Sequence, residues 1–284
     1  MIRTATRQDL PRIAQLLANA NDAPYDLARV AEEKCFGAGV AGEPRVRIFG
    51  DFNGVAVQCG RALRLLAVDR AHRNEGIGSA LLDDTNPTVI AAEAGNYFTP
   101  GVVTTDENTI SFFEKRGYRE TARTQNLIAR ELPEEIPEGV KRVVLSRADG
   151  EGSPGKRGEI LRSAQDDTAV LHFIEREFGR IWRFEVANAQ TVFYVEQNGE
   201  IAGFAAHGGN NRGLGFFGPT GVAKQHRGKG LGRKVLIATL ADMRRQGYEQ
   251  AIIPWTDAIE FYERSCGAEV QHRFVTLARY IPQP

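Results

Sequence analysis

The sequence predicts a protein of mixed α and β structure, built as two tandem domains. Three observations lead there. One pattern is written twice, as Val68-Asp69-Arg70-Ala71-His72-Arg73-Asn74-Glu75-Gly76-Ile77-Gly78 and as Val222-Ala223-Lys224-Gln225-His226-Arg227-Gly228-Lys229-Gly230-Leu231-Gly232. Each copy follows a β-type run and precedes an apolar helical stretch and an aromatic-aromatic-Glu tripeptide, Phe112-Phe113-Glu114 in the first half and Phe261-Tyr262-Glu263 in the second. The period of about 150 residues is far longer than solenoid repeats of roughly 20 to 50 residues. A chain of 284 residues also has room for two domains of about 100 to 150 residues each.

In the first half, Ile2 to Ala5 reads as a short strand and Gln8-Asp9 as a helix cap. Leu10, Ile13, Leu16 and Leu17 then recur at helical spacing. A second helix is expected over Tyr25 to Lys34. Val46 to Phe52 and Val55 to Cys59 form a hairpin around Asn53-Gly54, a pair that readily supplies the positive φ angles of a tight turn. The strand Ala62 to Val68 runs into the first glycine loop. The helix after that loop carries Ile77, Ala80, Leu81 and Leu82 and is cut short at Asn86-Pro87, where proline removes a backbone donor.

Glu131 to Gly139, with two prolines and four glutamates, is the expected boundary, dividing the chain into domains 1–138 and 139–284. Val140 to Ser146 reads as a strand that either closes the first sheet or opens the second. A mobile loop is expected at about 149–159, because Asp149 to Gly158 is rich in glycine and charge. In the second half, Thr168 to Phe178 reads as a helix, and Thr191 to Glu196 with Ile201 to His207 as a hairpin around Asn198-Gly199. Leu214 to Val222 is the strand entering the second loop. Leu231, Val235, Leu236, Leu240 and Met243 give the next helix an apolar face ending at Gln246-Gly247, where glycine suits a C-cap. Ala251 to Trp255, a helix around Phe261-Tyr262-Glu263 and a strand Phe274 to Tyr280 complete the order.

Composition narrows the function. Lys plus Arg and Asp plus Glu number 36 each, a balance that argues against nucleic acid or an acidic membrane as the main partner. The three cysteines, Cys35, Cys59 and Cys266, lack C-x-x-C spacing and point to neither a disulfide framework nor a metal site. The polar segment Met1 to Leu10 and the lack of a long apolar window lead to the expectation of a soluble, cytoplasmic protein.

An R-x-x-G-x-G turn between strand and helix presents backbone N–H groups at the positive end of a helix, where glycine lets a phosphate approach the main chain. The alternative is a glycine turn chosen for tight packing. The second loop gathers Lys224, His226, Arg227, Lys229, Arg233 and Lys234, a cation count suited to a ligand with several phosphates. Neither loop has P-loop spacing, and Leu81 and Val235 stand where a dinucleotide fingerprint needs glycine or alanine.

The run of strand, R-x-x-G-x-G loop, amphipathic helix, short strand and F-[FY]-E helix resembles the GNAT superfamily of acyl-CoA-dependent N-acyltransferases, twice over. The tandem layout is similar to that of mycothiol synthase and related double-domain members. The resemblance implies two domains of one fold, each a mixed, mostly antiparallel sheet flanked by helices. It implies acetyl-CoA as acyl donor and a small-molecule amine as acceptor. It places the pyrophosphate on Arg227, Gly228, Lys229, Gly230, Leu231, Gly232 and Arg233, the pantetheine on Val222 and Ala223, and the proton for the leaving thiolate on Tyr262. A weaker second donor site would use Ala67, Val68, Arg73, Asn74, Gly76, Ile77, Gly78 and Ser79.

The halves differ at the expected acid, since Phe113 stands at the place of Tyr262 and has no proton to give. Glu75 also puts a carboxylate beside the first loop, so the first half is expected to be a poor catalyst, with Tyr118 as a substitute acid. Tyr262 has a bland alternative as a core aromatic. His207, Asp257 and Glu260 are candidates for the base, each with an ordinary structural alternative. Trp182, Phe184, Phe193, Tyr194, Phe216 and Trp255 line an aromatic pocket or belong to the core. The rival to an enzyme is a non-catalytic module that binds or senses acyl-CoA, and a third reading is a nucleic-acid binder using the basic loop.

Overall fold

A computed structural model describes residues 1–20, 23–145 and 157–279, with side chains from 167 onward in the last segment. The elements in chain order are β1 (Ile2–Thr4), α1 (Leu10–Ala20), α2 (Ala31–Phe36), β2 (Arg45–Phe49), β3 (Gly54–Cys59), β4 (Ala62–Val68), α3 (Ile77–Thr85), β5 (Val89–Ile90), β6 (Val102–Val103), α4 (Glu107–Glu114) and β7 (Arg119–Ala129). There follow β8 (Val140–Val143), α5 (Arg157–Phe178), α6 (Arg180–Ala187), β9 (Thr191–Gln197), β10 (Glu200–His207), β11 (Phe217–Val222), α7 (Leu231–Arg245), β12 (Ala251–Thr256), α8 (Ile259–Cys266) and β13 (Glu269–Ala278). Among the described residues no helix is long and apolar enough to cross a membrane. Of the loop expected at 149–159, residues 149–156 lie outside the described residues, and from 157 the chain is helical.

The chain divides into two compact units, but not at 138/139. One is Met1–Asn126 with Gln271–Pro284, the other Leu127–Val270. This corrects the expected boundary. The first unit takes its last strand from the far end of the sequence, and β7 runs from one unit into the next. The open question of Val140 to Ser146 is answered by pairing: β8 lies antiparallel to β9, with Val140 opposite Val195, and so belongs to the second unit.

In the first unit the strands run β1-β2-β3-β4-β5-β13, antiparallel except for β4 with β5. The hairpin turn is Gly50 to Asn53, with positive φ at Gly50 and Phe52, and not the two-residue Asn53-Gly54 turn. Gly54 is paired with Phe49 and serves another purpose. A Cβ there would stand 2.8 Å from Ile77 and 2.9 Å from Leu81, so its absence lets α3 settle on β3. The second helix is shorter than the expected Tyr25 to Lys34, a 3-10 turn Ala28–Val30 leading into α2. Buried residues Leu63, Ile77, Leu81, Ile90, Phe113, Tyr118, Val275 and Leu277 form the core.

β5 and β6 are one strand line interrupted. Both pair with β13, Ile90 opposite Leu277 and Val102 opposite Val275. Residues 91–101 leave that line and return to it two positions further along β13. The departure is made by Ala91 and Ala92, both left-handed at φ +54 and +51.

The second unit has an antiparallel sheet in the order β11-β10-β9-β8. Asn198 and Gly199, with φ of +56 and +82, make the expected hairpin turn between β9 and β10. The apolar side of α7 packs against one face with Leu231, Val235, Leu236, Leu240 and Met243, joined by Phe217, Ile253 and Tyr262. On the other core lie Val170, Phe173 and Ile174 of α5 and Val186 of α6, with Tyr194 and Phe204.

Candidate functional site

The two glycine loops have the same backbone. In the second unit β11 ends at Val222, Ala223 precedes a 3-10 turn Lys224–His226, and Gly230 begins α7 in the left-handed region at φ +74, ψ +1. In the first unit β4 ends at Val68, a 3-10 turn spans Arg70–His72, and Gly76 begins α3 at φ +80, ψ 0. Left-handed backbone at both places favours glycine. Arg227 Nε donates to the Val222 carbonyl at 3.1 Å, and Arg73 Nε to the Val68 carbonyl at 3.4 Å. A Cβ at Gly232 would make ordinary contact with the Phe261 ring at 3.6 Å, as one at Gly78 would with Phe112 at 3.5 Å, so each aromatic sits against the first turn of its helix in the same way.

Asn74 carries the correspondence further. Its φ of +64 matches the +78 of Gly228, and asparagine is among the side chains most tolerant of that region. The first loop therefore keeps the shape of the second despite the substitution.

Both loops fit a phosphate. The N–H groups of a helix's first turn have no intrahelical acceptor and carry the positive end of the dipole. A Cβ at Gly76, Gly228 or Gly230 would meet no protein atom within 4 Å, so space lies over the main chain. Arg227, Gly228, Lys229 and Gly230 are exposed, as are Arg73, Asn74 and Gly76. Ile77 and Leu231 point into the cores, and of these two only the N–H faces outward chemistry.

Next to each loop two parallel strands part. β11 and β12 meet at a single bridge, Phe216 with Ile252, and from Phe217 to Val222 β11 is paired along its β10 edge. β4 and β5 meet at Ala62 with Val89 and Leu63 with Ile90. The edge of β11 away from β10 offers backbone groups to an extended polar chain, with the Val222 carbonyl already accepting from Arg227.

Tyr262 lies where the strands part. Its ring meets Phe217, the first residue beyond the bridge, edge to face at 6.2 Å, and Phe261 at 5.0 Å. The residue is 6% exposed. Burial, and secondarily the nearby Cys266 thiol, raise its hydroxyl above the ordinary range, so it keeps its proton at neutral pH.

In the first unit Phe113 occupies the same place, 3% exposed. Tyr118 is not a substitute acid. Fully buried, its hydroxyl donates to the Pro87 carbonyl at 2.6 Å. His207 is likewise engaged: its Nε2 lies 2.9 Å from Asp242 Oδ2, which also accepts from Gln246 at 2.7 Å. Asp242 is eleven residues along α7 from Leu231, about 17 Å at 1.5 Å per residue. His207 is therefore a structural partner at the far end of α7. Asp257 and Glu260 are exposed beside α8, Glu260 facing Arg264 at 3.4 Å.

The six aromatics are not brought into one pocket. Phe193, Tyr194 and Phe216 are core residues, Phe184 is half-buried, and Trp255 is 40% exposed. Trp182 stacks on Phe178 at 5.1 Å, and both lie over Gly221, whose missing Cβ would be 2.6 Å from the Phe178 ring.

A cleft of about 620 Å³ lies in the first unit, lined by β4 from Leu63 to Val68, by the loop residues Arg73, Asn74 and Gly76 to Ser79, and by Phe112, Phe113 and Arg116 of the α4 region. Arg116 is a cleft residue that sequence reasoning missed. It stacks over the Phe112 ring at 3.8 Å, donates to the Phe112 carbonyl at 2.7 Å and bonds the Ser79 hydroxyl at the start of α3. It restores a cation beside the loop that carries Glu75. Its signal in the sequence was faint, a lone arginine after the F-F-E tripeptide.

Comparison with known proteins gives a consistent answer for both halves. The sequence model of the acetyltransferase (GNAT) family matches residues 159–268, and that of the acetyltransferase (GNAT) domain matches residues 28–120. No curated protein matches in sequence. Among solved structures, a GCN5-related N-acetyltransferase from Sphaerobacter thermophilus aligns at TM-score 0.63 and 19% identity, over 98% of this chain and 94% of that one. A tandem GNAT protein from the clavulanic acid biosynthesis pathway aligns at 0.62 and 15%, over 100% and 99%. A glucosamine N-acetyltransferase region in a fungal multi-domain β-N-acetylglucosaminidase aligns at 0.70 and 15%, over 98% of this chain, which spans only 38% of that protein. At these identities the likeness is one of fold.

Proposed function

Because the chain belongs to the GNAT acetyltransferase family, in tandem form and with acetyl-CoA as the family's acyl donor, we propose that it acetylates the amine of a small molecule and that the chemistry is done by the C-terminal unit. The observation that carries this reading is the place of Tyr262, a buried phenol where β11 and β12 part. Residues Arg227 to Arg233 hold the donor's phosphates and Val222 pairs with its pantetheine; Ala223, expected to share that role, has its N–H on the Ala202 carbonyl and its carbonyl on the His226 N–H, each at 2.9 Å.

An amine with a pKa near 10 is mostly protonated at pH 7, and freeing its lone pair costs roughly 4 kcal/mol. With His207 bound to Asp242, that proton leaves to water, with Asp257 and Glu260, both exposed, as the candidate carboxylates to receive it. The amine nitrogen then bonds to the thioester carbon, the carbon–sulfur bond breaks, the Tyr262 hydroxyl protonates the departing thiolate, and the nitrogen's second proton leaves the new amide and restores the phenol. Loss of a general acid typically lowers rate by about 10² to 10⁴. Tyr262→Phe is expected to reduce free-thiol release from acetyl-CoA over a panel of small amines by that factor, with acetyl-CoA affinity kept. Undiminished release would remove the tyrosine from the mechanism.

The rival, a module that binds acyl-CoA without turnover, is favoured by one observation: the 620 Å³ cleft belongs to the unit that has Phe113. Saturable acetyl-CoA binding with no thiol release from any amine would select it.

A further inference from the structure

Two aromatic rings lie over the parted stretch of β11, on the face opposite Tyr262. We propose that Trp182, stacked on Phe178, selects the acceptor: an amine joined by a flexible chain to an uncharged aromatic ring, which lies on the indole. The proposal deepens the transfer reading of the C-terminal unit and rests on it.

The argument begins with direction of approach. Tyr262 belongs to the core on the α7 side of the sheet, with Leu231, Phe217 and Ile253. From that side it meets the sulfur of a donor lying in the gap between β11 and β12. An amine needs a path to the carbonyl carbon that the acid does not occupy, and the opposite face of the sheet is that of α5 and α6. What those two helices present beside the parted stretch of β11 therefore meets the acceptor.

They present an aromatic pair. Phe178 ends α5 and Trp182 lies in the first turn of α6, their rings stacked at 5.1 Å and 18°. These rings are what a Cβ at Gly221 would meet, Phe178 at 2.6 Å and Trp182 at 3.0 Å. Gly221 adjoins Val222, and β11 is half-buried from Gly218 to Val222. The inner sides of both rings rest on Phe204, at 5.4 and 6.1 Å. Neither ring is fully covered. Glycine inside a strand weakens it; at 221 it brings the pair against the main chain next to the donor's arm.

Charge and distance define the ligand. Between residues 175 and 185 three arginines are balanced by three glutamates, with Arg176 on Glu177 at 2.9 Å and Arg183 on Glu175 at 3.1 Å. That balance leaves the ring, and not a second ionic group, as the feature selected. Gly221 is four residues beyond Phe217, where Tyr262 sits, or about 13 Å along an extended strand. Amine and ring are thus separated by several bonds.

The test uses the full chain with acetyl-CoA and compares phenylbutylamine with butylamine, amines alike except for the ring. The wild type is expected to show a KM about tenfold lower for the phenyl compound, the scale of one aromatic contact. Trp182→Leu, which keeps apolar packing on Phe204, is expected to remove that preference while KM for acetyl-CoA and turnover of butylamine stay unchanged; Trp182→Phe is expected to restore most of it. A purely structural role for Trp182 would shift both amines alike. A wild type without the preference, or a preference that survives Trp182→Leu, would overturn the proposal. Should neither amine be acetylated, the transfer reading fails and binding decides this one. The chain has two tryptophans, so in a Trp255→Phe chain fluorescence reports on Trp182 alone. With acetyl-CoA present, a saturable change on adding phenylbutylamine but not butylamine sustains the ring site, and no change overturns it.

Discussion

Asn74 shows how much of a site a single residue can hide. Read as a letter, it breaks the repeat. As a backbone at φ +64 it completes it, because the side-chain amide tolerates the left-handed region that glycine otherwise supplies. The turn geometry of both loops was legible from sequence, since left-handed glycines and an arginine bonded back to the end of the preceding strand are local features. The fates of Tyr118 and His207 were not, because each depends on a partner distant in the chain, the Pro87 carbonyl and Asp242. Buried titratable side chains in the first unit lead to a pH prediction. Burial pushes the Cys35 thiol up to about 12 from 9.0 and, with Glu93 adding, the Cys59 thiol up to about 11. Above pH 9 the unfolded chain releases these protons while the folded chain keeps them, so stability present below pH 9 is lost as pH rises toward 11 or 12. Lys34 acts the other way: burial lowers it to about 8 from 10.5, adding stability across that window. Two thiols outweigh one lysine over the shared range. Unfolding by denaturant is expected to show falling stability between pH 9 and 11, and Cys35→Ala to make the fall shallower by up to about 1.4 kcal/mol per pH unit.

Among the elements, strong periodicity was read correctly and close packing was not. The face of α7 and the hairpin at Asn198-Gly199 were plain from spacing. α6 was missed, because Trp182 and Phe184 were weighed as pocket residues and Arg180–Ala187 is short. β5 and β6 are two residues each, too brief for any period. Gly54 and Gly221 sit inside strands, where glycine usually weakens pairing, and each makes sense only against the helix above it. For Gly221→Ala the new methyl would stand 2.6 Å from the Phe178 ring and 3.0 Å from Trp182. Overpacking of this kind costs about 1 to 3 kcal/mol. A lower denaturation midpoint with unchanged slope in denaturant unfolding is the expected result; an unchanged midpoint would mean that α5 and α6 ride freely over β11.

For the whole molecule, the duplication was visible in sequence but the placing of β13 in the first unit was not. β13 has ordinary strand composition, and nothing in it states which sheet it joins. The compact units state it: Leu127–Val270 is continuous, whereas Met1–Asn126 requires Gln271–Pro284. Leu277 and Val275 are buried in the first unit's core, and without them Ile90 and Val102 lose their pairing partners. Residues 127–270 expressed alone are expected to unfold cooperatively, and residues 1–126 alone to lack cooperative unfolding until the segment 271–284 is supplied. During synthesis the consequence is an inverted order. Strands β1 to β5 must wait, with their sheet open at the edge that β13 will take, while residues 127–270 emerge and fold; only when β13 has followed them can the first unit close.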